Sequence, residues 1–173
     1  MSGQAAWPQW TDQPIVLYHG TIRKYGESIL RDGVDVACGD PRVDFGLGFY
    51  TTTSLAQARK WAIVIGSDGA EPHAVMQLTL DRNALGSLRT LAFVRGATDA
   101  VDYWSFVAHC RRGLRDVSEA DSSYDVVCGP VARNWRGPER SSVYQGYDQV
   151  SFHGRKAQKL LRDPSFCKIE GIE

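Results

Sequence analysis

The chain has no excess of either charge: 20 lysines and arginines are matched by 20 aspartates and glutamates, for a formal net charge of zero over 173 residues. That excludes broad electrostatic capture of nucleic acid or of an anionic membrane surface, leaving only local basic patches. Arg111, Arg112 and Arg115 form one such cluster, read as a solvated helix end. Cysteine is scarce as well. Cys38, Cys110, Cys128 and Cys167 show no CxxC spacing and none lies beside a histidine at a zinc-ligand distance, so no metal site is expected. Cys110 and Cys128 fall in apolar stretches and read as buried thiols. No hydrophobic run is long enough to cross a bilayer, and the first residues carry no apolar signal core. The expectation is a cytoplasmic protein with no membrane partner, although delivery into another cell by a dedicated secretion machine would leave no mark of this kind. Repeats and low-complexity segments are also missing.

What remains is the composition of an ordinary globular chain, with 43% hydrophobic and 23% charged residues. Its length suits a single domain, taken as residues 15–173, after a polar arm at 1–14 that carries Trp7, Pro8 and Trp10. Ile15-Val16-Leu17-Tyr18-His19 reads as a short strand ended by glycine, followed by a helix over 22–32 closed by Asp32-Gly33. A glycine-rich loop leads to a strand at 49–53, and Ser54 is a good N-cap for a helix running to Ile65. His73 to Leu80 alternates as a strand whose core face the pattern leaves open. A helix is expected over about 99–114, a strand at 124–128 stopped by Gly129-Pro130, and a loop or poorly ordered segment over 133–146. A strand at 148–153, a helix at 154–162 and a last strand near 166–171 complete a mixed α and β domain.

Three short motifs follow one another in order: Leu17-Tyr18-His19-Gly20-Thr21, then Asp44-Phe45-Gly46-Leu47-Gly48-Phe49-Tyr50-Thr51-Thr52-Thr53, then Asp148-Gln149-Val150-Ser151-Phe152-His153. A strand ending in His19-Gly20 leaves backbone bare, so a flat amide can approach and pair with its N–H and C=O while the imidazole holds a hydroxyl. The Tyr50 ring can stack on a flat heterocycle, and Thr51, Thr52 and Thr53 offer hydroxyls to phosphate or ribose. Phe49 and Tyr50 also suit the core and rim of a strand. Gly46 and Gly48 lack the third glycine of a dinucleotide fingerprint. On the last strand Gln149, Ser151 and His153 share one face, and Asp148, Val150 and Phe152 the other. If Val150 and Phe152 face the core, Gln149 rather than Asp148 faces a ligand; glutamine can hydrogen-bond a hydroxyl but cannot remove a proton. Arg23 and Lys24, just past the first motif, suit either a pyrophosphate or an exposed helix start. Asp44 reads as shaping its loop through a local backbone bond. His73 and His109 read as structural, His109 as a core or boundary residue, and His153 as supporting Gln149 from the same face.

These motifs resemble the His–Tyr–(Glu/Gln/Asp) core of the ADP-ribosyltransferase superfamily. More closely, Tyr18-His19-Gly20, the Asp44–Thr52 segment with Trp61-Ala62, the Tyr124–Ala132 stretch and Gln149–His153 resemble the bacterial family DUF3990. The resemblance implies an α+β fold with a split antiparallel β core, flanking helices and bound NAD as co-substrate. It implies catalytic roles for His19, Tyr50 and Gln149, and cofactor contacts from His19, Gly20, Thr21, Phe49, Tyr50, Thr51 and Arg23. In that scheme His19 holds the nicotinamide ribose, the Gly20 backbone pairs with the carboxamide, and Tyr50 stacks on nicotinamide. Gln149-x-Ser151 replaces the acidic-x-Glu pair of arginine-modifying relatives, which counts against arginine as acceptor, and the missing glutamate counts against poly-ADP-ribose elongation. The implied activity is mono-ADP-ribosyl transfer to a macromolecule by a bacterial toxin or effector, neutralised by an antitoxin or immunity protein. An NAD glycohydrolase and an inactive NAD- or ADP-ribose-binding module are the alternatives. The neutral net charge tilts the acceptor toward protein, with contacts from Arg133, Arg136 and Arg140.

Overall fold

The computed structural model describes residues 13–66, 72–94, 101–114, 124–136 and 141–162, together with the backbone of Cys167–Gly171. The arm at 1–12 and Arg140 lie outside the described residues. In chain order the elements are β1 (Ile15–Ile22), α1 (Arg23–Asp32), β2 (Phe49–Thr51), α2 (Leu55–Ile65), β3 (His73–Leu80) and α3 (Arg82–Gly86). They continue as β4 (Thr90–Ala92), α4 (Val101–Arg111), β5 (Val126–Asn134), β6 (Ser142–Phe152), α5 (Gly154–Leu161) and β7 (Cys167–Gly171).

The strands form two sheets, ordered β1-β3-β7 and β2-β6-β5-β4. All pairings are antiparallel except β4 with β5, which is parallel. The fold is therefore α+β with a split β core, as expected, save for that one parallel edge. The sheets meet at a single point, where Tyr18 and Thr52 exchange both backbone hydrogen bonds at 2.8 Å.

Hydrophobic alternation explains the layers. Leu17, Met76, Leu78 and Leu80 of the first sheet face Phe49, Val126 and Phe152 of the second, with Val34, Val36, Ala157 and Leu161 filling the space between. The opposite face of the first sheet carries α2, whose Ala58 and Ala62 pack on Val75. Both faces of β3 are thus covered, which is why its pattern alone left the core face open. The opposite face of the second sheet is roofed by α4 and by the segment before β2, through Phe45, Tyr103, Val107, Val127 and Ala132. As anticipated, Ser54 caps α2, its hydroxyl accepting from Gln57 N at 3.2 Å.

Three expectations are corrected. Gly129-Pro130 does not stop β5, which runs on to Asn134 with register shifts between Pro130 and Asn134. Proline is tolerated because β4 pairs only with Val126–Cys128, so the outer edge at Pro130 needs no N–H. Residues 142–146, expected in a loop, belong to β6; Ser142, Tyr144, Gln145 and Gly146 are all exposed, so no alternation marks them. His109 is exposed on α4 rather than lodged in the core, and Cys128 is only half-buried.

Candidate functional site

Strand alternation sets which groups reach the seam between the sheets. Because Tyr18 spends its N–H and C=O on Thr52, its pairing with Gln77 is a non-hydrogen-bonded one, and the same holds two residues on for Gly20 opposite Val75. Gly20 therefore presents its N–H and C=O along the β1 edge beyond the single bridge, toward the stretch of β2 that contains Tyr50. Its missing side chain serves another purpose: a Cβ there would collide with the Ala58 carbonyl oxygen and lie 2.8 Å from Ala62 N. The glycine is bare toward α2, not toward a ligand, and only its peptide edge is open.

His19 lies on the inner face of β1 with Leu17, its ring 4.4 Å from that of Phe49. Its Nδ1 is 2.6 Å from the Tyr50 carbonyl oxygen, so Nδ1 carries the proton and donates. Burial pushes the imidazole below its ordinary value of 6.5, the hydrogen bond to Tyr50 opposing that in part. The neutral ring leaves Nε2 as a bare acceptor, without a protein partner among the described residues and not sealed from solvent.

Tyr50 points the other way, into the layer under α4. Its hydroxyl donates to Gly46 O at 2.7 Å and accepts from Phe45 N at 3.0 Å, which ties the preceding loop to β2. The ring stacks near Phe45 at 6.5 Å and meets the His153 edge at 6.4 Å. That buried imidazole bridges Ser151 Oγ and Leu47 O, both at 2.7 Å. Gly48 permits this closure, since a Cβ would sit 2.6 Å from the His153 ring.

Gln149 is buried on the same face as Ser151, while Val150 and Phe152 pack toward the inter-sheet core, the arrangement reasoned from alternation. Its Nε2 donates to Asp44 Oδ2 at 2.7 Å and to Pro130 O at 2.9 Å. Asp148 is held at the β2–α2 corner instead, accepting from the Thr52 hydroxyl at 2.5 Å, from Thr53 N at 3.1 Å and from the Thr53 hydroxyl. Of the remaining candidates, Thr21 is buried in β1, Phe49 is buried behind His19, and the Thr51 hydroxyl donates to Val150 O at 2.9 Å. Arg23 is exposed at the start of α1.

No direct hydrogen bond joins the side chains of His19, Tyr50 and Gln149 among the described residues; the 44–50 segment links them. Its hub is Asp44, which corrects the expectation of a local loop bond. Oδ1 accepts from Arg111 Nε at 2.6 Å and Nη2 at 2.5 Å, and Oδ2 accepts from Ala132 N and Gln149 Nε2, each at 2.7 Å. Arg111, read as a solvated helix end, is therefore committed to an ion pair whose carboxylate is buried. Nothing in the spacing announces this pair, because 67 residues separate its members. No cluster of three metal-ligating side chains occurs among the described residues.

Fold and site define a two-sheet α+β domain with a polar seam organised by the segment before β2. A family model described as "Protein of unknown function (DUF3990)" matches residues 15–136, and the chain belongs to that family. No curated protein matches it.

Proposed function

We propose that the chain is an NAD-dependent mono-ADP-ribosyltransferase that uses the seam beyond the Tyr18–Thr52 bridge as its dinucleotide site. The observation that carries this reading is the open peptide edge of Gly20 beside the solvent-reaching Nε2 of His19. A carboxamide needs one donor and one acceptor side by side, which Gly20 supplies, and a ribose hydroxyl can donate to Nε2. The Tyr50 ring offers a flat face, worth roughly 0.5–1.5 kcal/mol beyond simple burial when stacked. Arg23 is exposed and able to meet a pyrophosphate, while Phe49, Thr21 and Thr51 back the strands that carry the contacts.

In the reaction the bond from ribose C1′ to the nicotinamide nitrogen breaks and its electron pair neutralises the pyridinium. The cationic ribose is then captured at C1′ by an acceptor nucleophile, which gives up its proton. Gln149 can stabilise this species by accepting a hydroxyl hydrogen bond but cannot remove the proton, so the acceptor brings its own base or is already nucleophilic. The proposed acceptor is a protein, in the cytoplasm of the producing or a target cell, and the proposed regulator is a neutralising antitoxin or immunity protein.

The test is incubation of purified protein with NAD, with and without cell lysate, followed by mass spectrometry, beside His19→Ala. Nicotinamide release that requires lysate, with ADP-ribose on a macromolecule, is the expected result. Free ADP-ribose without lysate would make the protein a glycohydrolase. No release under either condition would overturn the enzyme and leave a binding module.

A further inference from the structure

Asp44 receives only groups that donate: the Arg111 guanidinium and the Ala132 peptide N–H have no acceptor lone pair to offer. Both of its oxygens are acceptors, and so is the Pro130 carbonyl. The end of the Gln149 amide that faces these two must be the NH2 group, with one hydrogen for each. The orientation of this side chain is thus dictated by its partners. Both N–H groups are spent, and Oε1 is turned away from Asp44 with no protein partner among the described residues. The one buried, partnerless polar side-chain atom among those residues is His73 Nδ1, so Gln149 Oε1 reaches solvent.

We propose that Asp44 is a positioning residue that locks Gln149 as a pure hydrogen-bond acceptor toward the substrate ribose, so that glutamine, not glutamate, is the residue this site requires. The inference rests on the transferase reading for the identity of the ribose. A glutamate at 149 would put a second carboxyl against Asp44 Oδ2 and the Pro130 carbonyl, where three acceptors would face one another without a hydrogen between them. Gln149 presents one acceptor oxygen, the half of a carboxylate that a hydroxyl donor needs. Glutamine here is the partner of a buried aspartate, not a relic of lost chemistry.

The pair is tested with Asp44→Asn, Gln149→Glu and the double variant. In Asp44→Asn the new amide hydrogens face Gln149, which turns over to accept them and shows N–H to the ribose. We expect kcat to fall about a hundredfold, the size of losing one well-placed hydrogen bond to the reacting centre, with KM for NAD little changed. Gln149→Glu alone should fall comparably. The double variant restores a donor–acceptor match and should recover at least about tenfold over either single one, the mark of coupled sites. Equal and independent losses with no recovery, or full activity in Asp44→Asn, would overturn the proposal.

A second readout does not depend on turnover or on the variants folding. In the wild-type protein the Gln149 side-chain amide protons, held by Asp44 and Pro130, should exchange slowly with solvent in NMR spectra. Exchange at the rate of a free amide would overturn the pairing. Slow exchange in a protein that never releases nicotinamide would sink the transferase and leave the Asp44–Gln149 lock standing.

Discussion

His19 donates from Nδ1 to Tyr50 O and keeps Nε2 as its lone pair, so protonation of the ring removes the acceptor the ribose needs. Burial lowers its pKa from 6.5, and the sign of the consequence follows. The unfolded chain takes up a proton near the ordinary imidazole value while the folded chain resists it, so His19's contribution to stability is present above that value and declines as pH falls below it. The acid limb of kcat/KM, if set by His19, lies below 6.5 in the free protein. Measured between about pH 7 and pH 5, Tm should fall more steeply with acidification in wild type than in His19→Gln. A wild-type slope no steeper than the variant's, or an acid limb above the ordinary value, would contradict this. At this scale the sequence revealed the polar types at the strand ends but not their partners. Asp44 looked local because its bonds to Arg111, Ala132 and Gln149 depend on how three distant segments dock.

At the scale of elements, Gly20 shows how one residue serves two purposes. Its amide edge faces the seam, and its Cα face receives α2. Gly20→Ala should push α2 off β1 and destabilise the fold by about 1–3 kcal/mol, the usual cost of overpacking. Urea unfolding would report this as a lower midpoint; an unchanged midpoint would mean that α2 does not rest on this strand as described. Most elements were legible, because β1, α2, β3, α5 and the second half of β6 carry clean periodicity or caps. The extension of β5 past Pro130 and the first half of β6 were not, since a proline on an unpaired edge and a strand half exposed on both faces give no alternation. The five-residue α3 and three-residue β4 are too short to leave a period at all.

For the whole molecule, the defining feature is that two sheets joined by one bridge share a core yet leave a seam along the β1 edge. Alternation in single strands suggested a mixed domain; the division into two sheets came from family resemblance, because pairing between distant strands leaves no periodic trace. The Asp44–Arg111 pair then fastens α4 and the 44–50 segment to the second sheet. If that seam holds the dinucleotide, the Gly20 amide is its most direct reporter. The decisive measurement is an NMR titration of the isotope-labelled protein with NAD, following Gly20, His19 and Tyr50. The account predicts saturable shifts centred on the Gly20 amide and the His19 ring, lost in His19→Ala. Shifts confined to other surfaces, with Gly20 unmoved at saturating NAD, would contradict it.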